Sequence, residues 1–61
     1  MADYKNFRIK VTDKESGAIK RLFEYHHVTK NRFQMELGRL HNHRILSDQW
    51  FKDGMVEIEE F

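Results

Sequence analysis

Residues Ala18–Tyr25 read AIKRLFEY, and the conformation of this segment decides the fold. Alternation places Ile19, Phe23 and Tyr25 on one side, as in a strand half buried against a core. Helical spacing also fits: Ile19, Leu22, Phe23 and His26 share a helix face, with Asp13 or Ser16 as a cap. One long helix would then run from about Ser16 to His43. Two features favour the strand. The helical stripe meets His26 and Lys30 in its middle, and YHHVT at residues 25–29 is rich in poor helix formers.

Upstream, NFRIKVT at residues 6–12 alternates Phe7, Ile9 and Val11 against Arg8, Lys10 and Thr12, which predicts a half-buried strand. DKESG joins the two segments. Asp13 can accept from amides two residues on, and Gly17 can take a positive φ at low cost, so the pair is predicted to form a hairpin with a bulge. Downstream, Thr29 is placed to N-cap a helix whose apolar stripe is Phe33, Leu37 and Leu40. That helix is predicted to end near His43, with Arg44 and the histidines at its negative pole. RILSDQWFK at residues 44–52 reads as a strand, Asp53-Gly54 as a tight turn, and MVEIEEF as the return strand, with Val56 and Ile58 inward and Glu57 and Glu59 outward. The predicted fold is α+β, a single domain over 1–61 of order ββαββ: two β-hairpins joined by one helix packed across a small antiparallel sheet.

The composition, 39% apolar and 34% charged, is that of a folding chain with a wet surface. So small a domain gains little from its core, and the absence of cysteine excludes disulfides and thiolate zinc sites. No apolar run approaches the ~18 residues needed to cross a bilayer, and MADYKNFRIK lacks the apolar core of a signal peptide. A cytoplasmic location is the expectation. Charge is uneven: Lys/Arg against Asp/Glu is four to three over residues 1–19, six to two over 20–44, and one to five over 45–61. A basic middle and an acidic end can attract each other within one fold or across a dimer.

All four histidines lie between Glu24 and Arg44, as His26-His27 and His41-Asn42-His43. Neighbours on a strand face opposite ways, so His26 and His27 converge on one ion only if the strand breaks, and His41 and His43 only beyond the helix end. No metal site and no cofactor is expected. EYHHV followed by a literal His41-Asn42-His43 resembles a fragment of the HNH, or ββα-metal, nuclease family, and the ββα order is present. The resemblance implies His27 as the base that activates water and His43 as a metal ligand. The sequence departs from the family where the ligand histidine stands in the helix several residues after the asparagine, since SDQWF occupies that region. No glycine-rich phosphate loop or nucleophilic triad appears, so the chain is expected not to be an enzyme.

Two binding readings remain. Arg32, Glu36, Arg39 and His43 share one helix flank, and Lys30 and Arg44 lie near it, which would suit nucleic-acid phosphates. Glu36, however, stands at ion-pair spacing from both arginines, which favours a solvated, internally paired flank. The favoured function is therefore a protein-binding module, an adaptor or inhibitor. Its size and charge suit the kind of small protein that phages use against host enzymes. The expected contact surface is Leu22, Met35, Trp50, Phe51, Met55 and Phe61, left outside by a single helix. The partner is a protein, and self-association as a homodimer is expected because the core is small.

Overall fold

A computed structural model describes residues 3–61. β1 (Lys5–Thr12) and β2 (Ile19–Val28) form the N-terminal hairpin, α1 (Lys30–Asn42) and α2 (Asp48–Lys52) follow, and β3 (Val56–Glu60) closes the sheet. The strands lie in the order β2-β1-β3, with β1 antiparallel to both neighbours. The fold is thus a small α+β arrangement of one antiparallel sheet and a helical layer.

The hairpin reading of Ala18–Tyr25 is borne out. Asp13 Oδ1 accepts from the amides of Glu15 (2.8 Å) and Ser16 (3.1 Å), and Gly17 turns the chain at φ 76°. The two backbone hydrogen bonds drawing Asp13's carboxyl below the usual range are those same amides, Ser16 first. β2 carries two irregularities. Lys20 is an extra residue between the pairs Thr12–Ile19 and Val11–Arg21, and His26 and His27 stand opposite the single Asn6. His27 takes φ 55°, and its N–H donates to the Asn6 side-chain oxygen at 2.9 Å instead of to the ladder.

Phe7, Ile9 and Val11 point inward and are buried with Phe33, Leu40, Leu46 and Met55, and Phe7 stacks on Phe33 at 4.2 Å between ring centres. Ile9, Val11 and Leu46 are fully enclosed, each contributing about 1.5–3 kcal/mol relative to exposure. Thr29 caps α1 as expected, its hydroxyl accepting from Arg32 N–H at 3.2 Å. Of the expected stripe, Phe33 and Leu40 are buried and Leu37 packs beside the core.

The predicted fourth strand is replaced by a helix. Ser47 accepts from Gln49 N–H at 3.3 Å, Asp48 occupies the first turn and Lys52 the last, so this short segment carries start and stop signals of its own. Asp53-Gly54 is accordingly not a hairpin turn. Gly54, at φ 72°, follows the helix end, with Gly54 N–H donating to Phe51 O (3.2 Å) and Met55 N–H to Trp50 O (2.9 Å). That is a Schellman motif, and a positive-φ glycine serves it as readily as it serves a tight turn. Val56–Glu60 therefore pairs with β1 instead of with a fourth strand. Two expected surface residues move with this change. Met55 ends the Schellman motif and turns into the core, and Trp50 packs half-buried against it.

α1 ends on the same motif. Arg44 N–H donates to His41 O (3.1 Å) and Ile45 N–H to Leu40 O (2.9 Å), but the residue at positive φ is Arg44, at 59°. An L side chain there costs of order 1 kcal/mol that glycine does not. Arg44→Gly is expected to stabilise the protein by about 1 kcal/mol, and Gly17→Val to destabilise it by more than about 1 kcal/mol, both read from urea unfolding.

Candidate functional site

The sheet face turned away from the helices is a charged ladder. Arg8 on the central strand meets Glu24 of β2 at 2.8 Å and Glu59 of β3 at 3.2 Å, and Lys10 meets Glu59 at 3.7 Å. Arg8 draws the Glu24 carboxyl below its ordinary range, chiefly through this hydrogen bond. The acidic C-terminal strand is thus answered by β1, Lys5–Glu60 at 2.9 Å included, and not by the basic middle of the chain. Leu22 and Phe61 lie on this open face, 50% and 47% exposed. The Arg8 guanidinium rests 4.4 Å over the Phe61 ring, and His26 meets that ring edge-on. The cations of this face are engaged by its own carboxylates, so the surface offers an incoming ligand little that is unsatisfied.

The helical layer is different. Gln34, Leu37, Gly38 and His41 of α1 and Asp48 and Phe51 of α2 line one groove. Helical periodicity brings the α1 residues to one side, since they recur at i, i+3, i+4 and i+7. His41 joins the two helices: its Nε2 lies 2.8 Å from Asp48 Oδ1, and its ring meets Phe51 edge-on at 5.5 Å. The hydrogen bond to His41, more than its charge, holds the Asp48 carboxyl below its ordinary value. Nothing stands within 4 Å of the place a Gly38 side chain would occupy. Met35, 70% exposed, lies one turn from Gly38 on the same helix, and Phe51 is 36% exposed. The groove can accept an apolar side chain between Leu37 and Phe51, with the His41–Asp48 pair and the Gln34 amide at hand for polar groups.

Of the expected contact residues, the structure therefore brings Phe51 to the groove, leaves Met35 exposed on α1 outside the groove's lining and Leu22 and Phe61 on the far sheet face, and withdraws Trp50 and Met55. Gln34, Leu37, Gly38, His41 and Asp48 were not singled out for this role. Gly38 is the one signal available in the sequence: a glycine inside a helix, with a cost and no turn to explain it.

On the basic flank Arg32 is paired with Glu36 at 3.4 Å, the internal pairing expected from their spacing. Lys30 opens α1, Arg39 lies in its last turn, His43 is its C-cap and Arg44 follows at positive φ. The histidines do not converge. His26 sits near Glu24, at 3.5 Å, and His27 stacks on Tyr4, at 4.4 Å. His41 is tied to Asp48, and among the described residues no group of three or more His, Cys, Asp or Glu side chains is placed to hold a metal ion. The nuclease carry-over also separates. His27 precedes α1 and His43 ends it, and a helix of 13 residues is about 20 Å long, so the two cannot serve one phosphate. No family model, curated protein or solved structure matches this chain.

The His41–Asp48 pair makes the helical layer acid-sensitive. Asp48 releases its proton more readily in the folded chain than in the unfolded one. The pair therefore stabilises the fold above the ordinary carboxylate value of 3.8, and that contribution is lost as pH falls through the lowered folded value. From about pH 5 to about pH 3 the melting midpoint of the wild type is expected to fall more steeply than that of Asp48→Asn, which has no proton to take up.

Proposed function

We propose that this chain is a non-enzymatic protein-binding module, an adaptor or inhibitor that acts by holding a partner, with the α1–α2 groove as its docking site. Gly38 carries this reading. A glycine inside a helix costs about 0.5–1 kcal/mol relative to alanine, and neither close packing nor a positive φ requires one here. What its missing side chain does is leave the groove open between Leu37 and Phe51. A partner's aliphatic or aromatic side chain would fill that space.

The test separates stability from binding. Gly38→Ala is expected to raise the unfolding free energy by about 0.5–1 kcal/mol. Gly38→Leu is expected to retain the circular dichroism of the wild type and to lose whatever protein the wild type captures from host extract. Leu22→Lys, on the opposite face, should keep that capture. Capture unchanged by Gly38→Leu would remove the groove from consideration.

A second reading, nucleic-acid binding through Lys30, Arg32, Arg39, His43 and Arg44, is favoured by one observation. The carboxylates of β3 are engaged by β1, so they do not neutralise α1. Against it stands the Arg32–Glu36 pair. No measurable affinity for DNA or RNA near physiological salt is expected. A complex abolished by Arg32→Ala plus Arg39→Ala would reverse the ranking, as would a salt slope that flattens by about one for each arginine removed.

A further inference from the structure

Among the described residues the sheet has two open edges, β2 on one side and β3 on the other. Their free backbone groups can be assigned from the hydrogen bonds of β1. Thr12 N–H donates to Met55 O and Phe61 N–H to Asn6 O, so the even-numbered residues of β1 direct their backbone groups toward β3. Its odd-numbered residues then face β2, where Phe7, Ile9 and Val11 stand opposite Tyr25, Phe23 and Arg21. Leu22 and Glu24 are therefore the β2 residues whose N–H and C=O groups point out of the sheet. On β3 the outward residues are Val56, Ile58 and Glu60 by the same alternation.

The two edges differ in what a second copy would meet. Antiparallel self-pairing of β3 about Ile58 sets Glu57 against Glu59 of the other copy, twice, on one face; like charges directly opposite destabilise a sheet. β2 has no such conflict. Its regular ladder is the window Arg21–Tyr25, bounded by the extra residue Lys20 and by the His26–His27 bulge. The centre of that window is Phe23. A two-fold axis through Phe23 lays the window of one copy on the window of the other. Phe23 then faces Phe23, each Arg21 faces a Tyr25, and each Leu22 faces a Glu24. A register moved by one step of the two-fold pattern brings Lys20 or His26 into the ladder, where the backbone is irregular.

We infer that two copies of this chain pair through the β2 edge, antiparallel and two-fold symmetric about Phe23, to make one six-stranded sheet. Leu22 and Glu24 of each copy exchange backbone hydrogen bonds with Glu24 and Leu22 of the other, two bonds to each opposed pair. On the inner face the Phe23 rings extend the core across the axis, and the Arg21 guanidinium reaches the Tyr25 ring of the other copy. On the outer face the exposed Leu22 side chain lies along the methylene stem of Glu24, whose carboxylate stays with Arg8. The bulges stop the ladder at both ends, and an isologous contact uses up the edge it is made from, so the assembly closes at two copies. No residue of the groove takes part, and the pairing does not depend on the groove's role.

Sedimentation equilibrium from about 1 μM to about 100 μM should show a monomer–dimer equilibrium. Amide hydrogen exchange of the wild type at the two ends of that range gives the location: the Leu22 and Glu24 amides should slow by about tenfold or more as the dimer fills. Leu22→Pro removes an outward N–H that the monomer does not use and should give a folded monomer, while Ile58→Pro, on the other edge, should leave the dimer intact. A wild type that stays monomeric throughout the range overturns the inference. So does a dimer whose Leu22 and Glu24 amides exchange as fast as in the monomer, or one that survives Leu22→Pro and is lost with Ile58→Pro. If Leu22→Pro does not fold, the wild-type exchange rates decide alone.

Discussion

β1 must be paired along both edges at once for this chain to have a core. It carries the inward residues Phe7, Ile9 and Val11, and only a strand with neighbours on either side can enclose them as Ile9 and Val11 are enclosed. The hairpin supplies one neighbour immediately. The other has to come from chain that has crossed from β2 to the far side of β1, because β2 and β3 run parallel with β1 between them. That crossing is made by α1 and α2, and it brings Phe33, Leu40, Leu46 and Met55 to the inner face of the sheet. The layer does not reach everywhere. Beyond Val56 the helices do not pack closely over β3, and Ile58, although it shares a face with Ile9, stays 48% exposed.

The outer face follows from the same central strand. A one-residue slip of β1 would send Arg8 and Lys10 into the core, so burial of the odd-numbered residues specifies the register strongly. The flanking strands then set glutamates opposite those cations. Exposed ion pairs of this kind each contribute little, about 0–1 kcal/mol, but in the native register no like charges oppose one another across β1. Apart from Leu22 and Phe61 the face is polar, its charges paired with one another, and the described residues span 42 × 23 × 14 Å.

Backbone strain is concentrated where the chain changes element. The two non-glycine residues at positive φ are His27, between β2 and α1, and Arg44, between α1 and α2, among the described residues. Each is held by hydrogen bonds around it, His27 by Asn6 and Arg44 by the Schellman bonds to His41 and Leu40. The His27 bulge also ends the regular part of the β2 edge, so the irregularity that redirects the chain into α1 limits what can add to the sheet. The groove and the β2 edge use different residues, so a substitution in one leaves the other in place.

Elements whose signals lie within a few residues of one another are settled by the amino-acid order alone. The alternation of Phe7, Ile9 and Val11, the Asp13–Gly17 turn, the Thr29 cap and the Phe33–Leu40 stripe are all local, and each is realised. The exposure of Leu22, Met35 and Phe61 was legible for the same reason, since strand alternation and helix phase set the direction of each side chain. The remainder waited on tertiary packing. SDQWFK carries helix start and stop signals but is too short for them to decide, and Asp53-Gly54 fits a hairpin turn and a helix C-terminus equally well; the enclosure of Leu46 and Met55 in the core and the pairing of Val56–Glu60 with the free edge of β1 go with the helix. That choice changes the local period from 2 to 3.6 residues, which is why Met55 and Trp50 leave the predicted surface. Of the groove only Gly38 left a trace in the sequence, because the packing of α2 against α1 creates it, and the two edges became distinguishable only once β1 had gained both its neighbours.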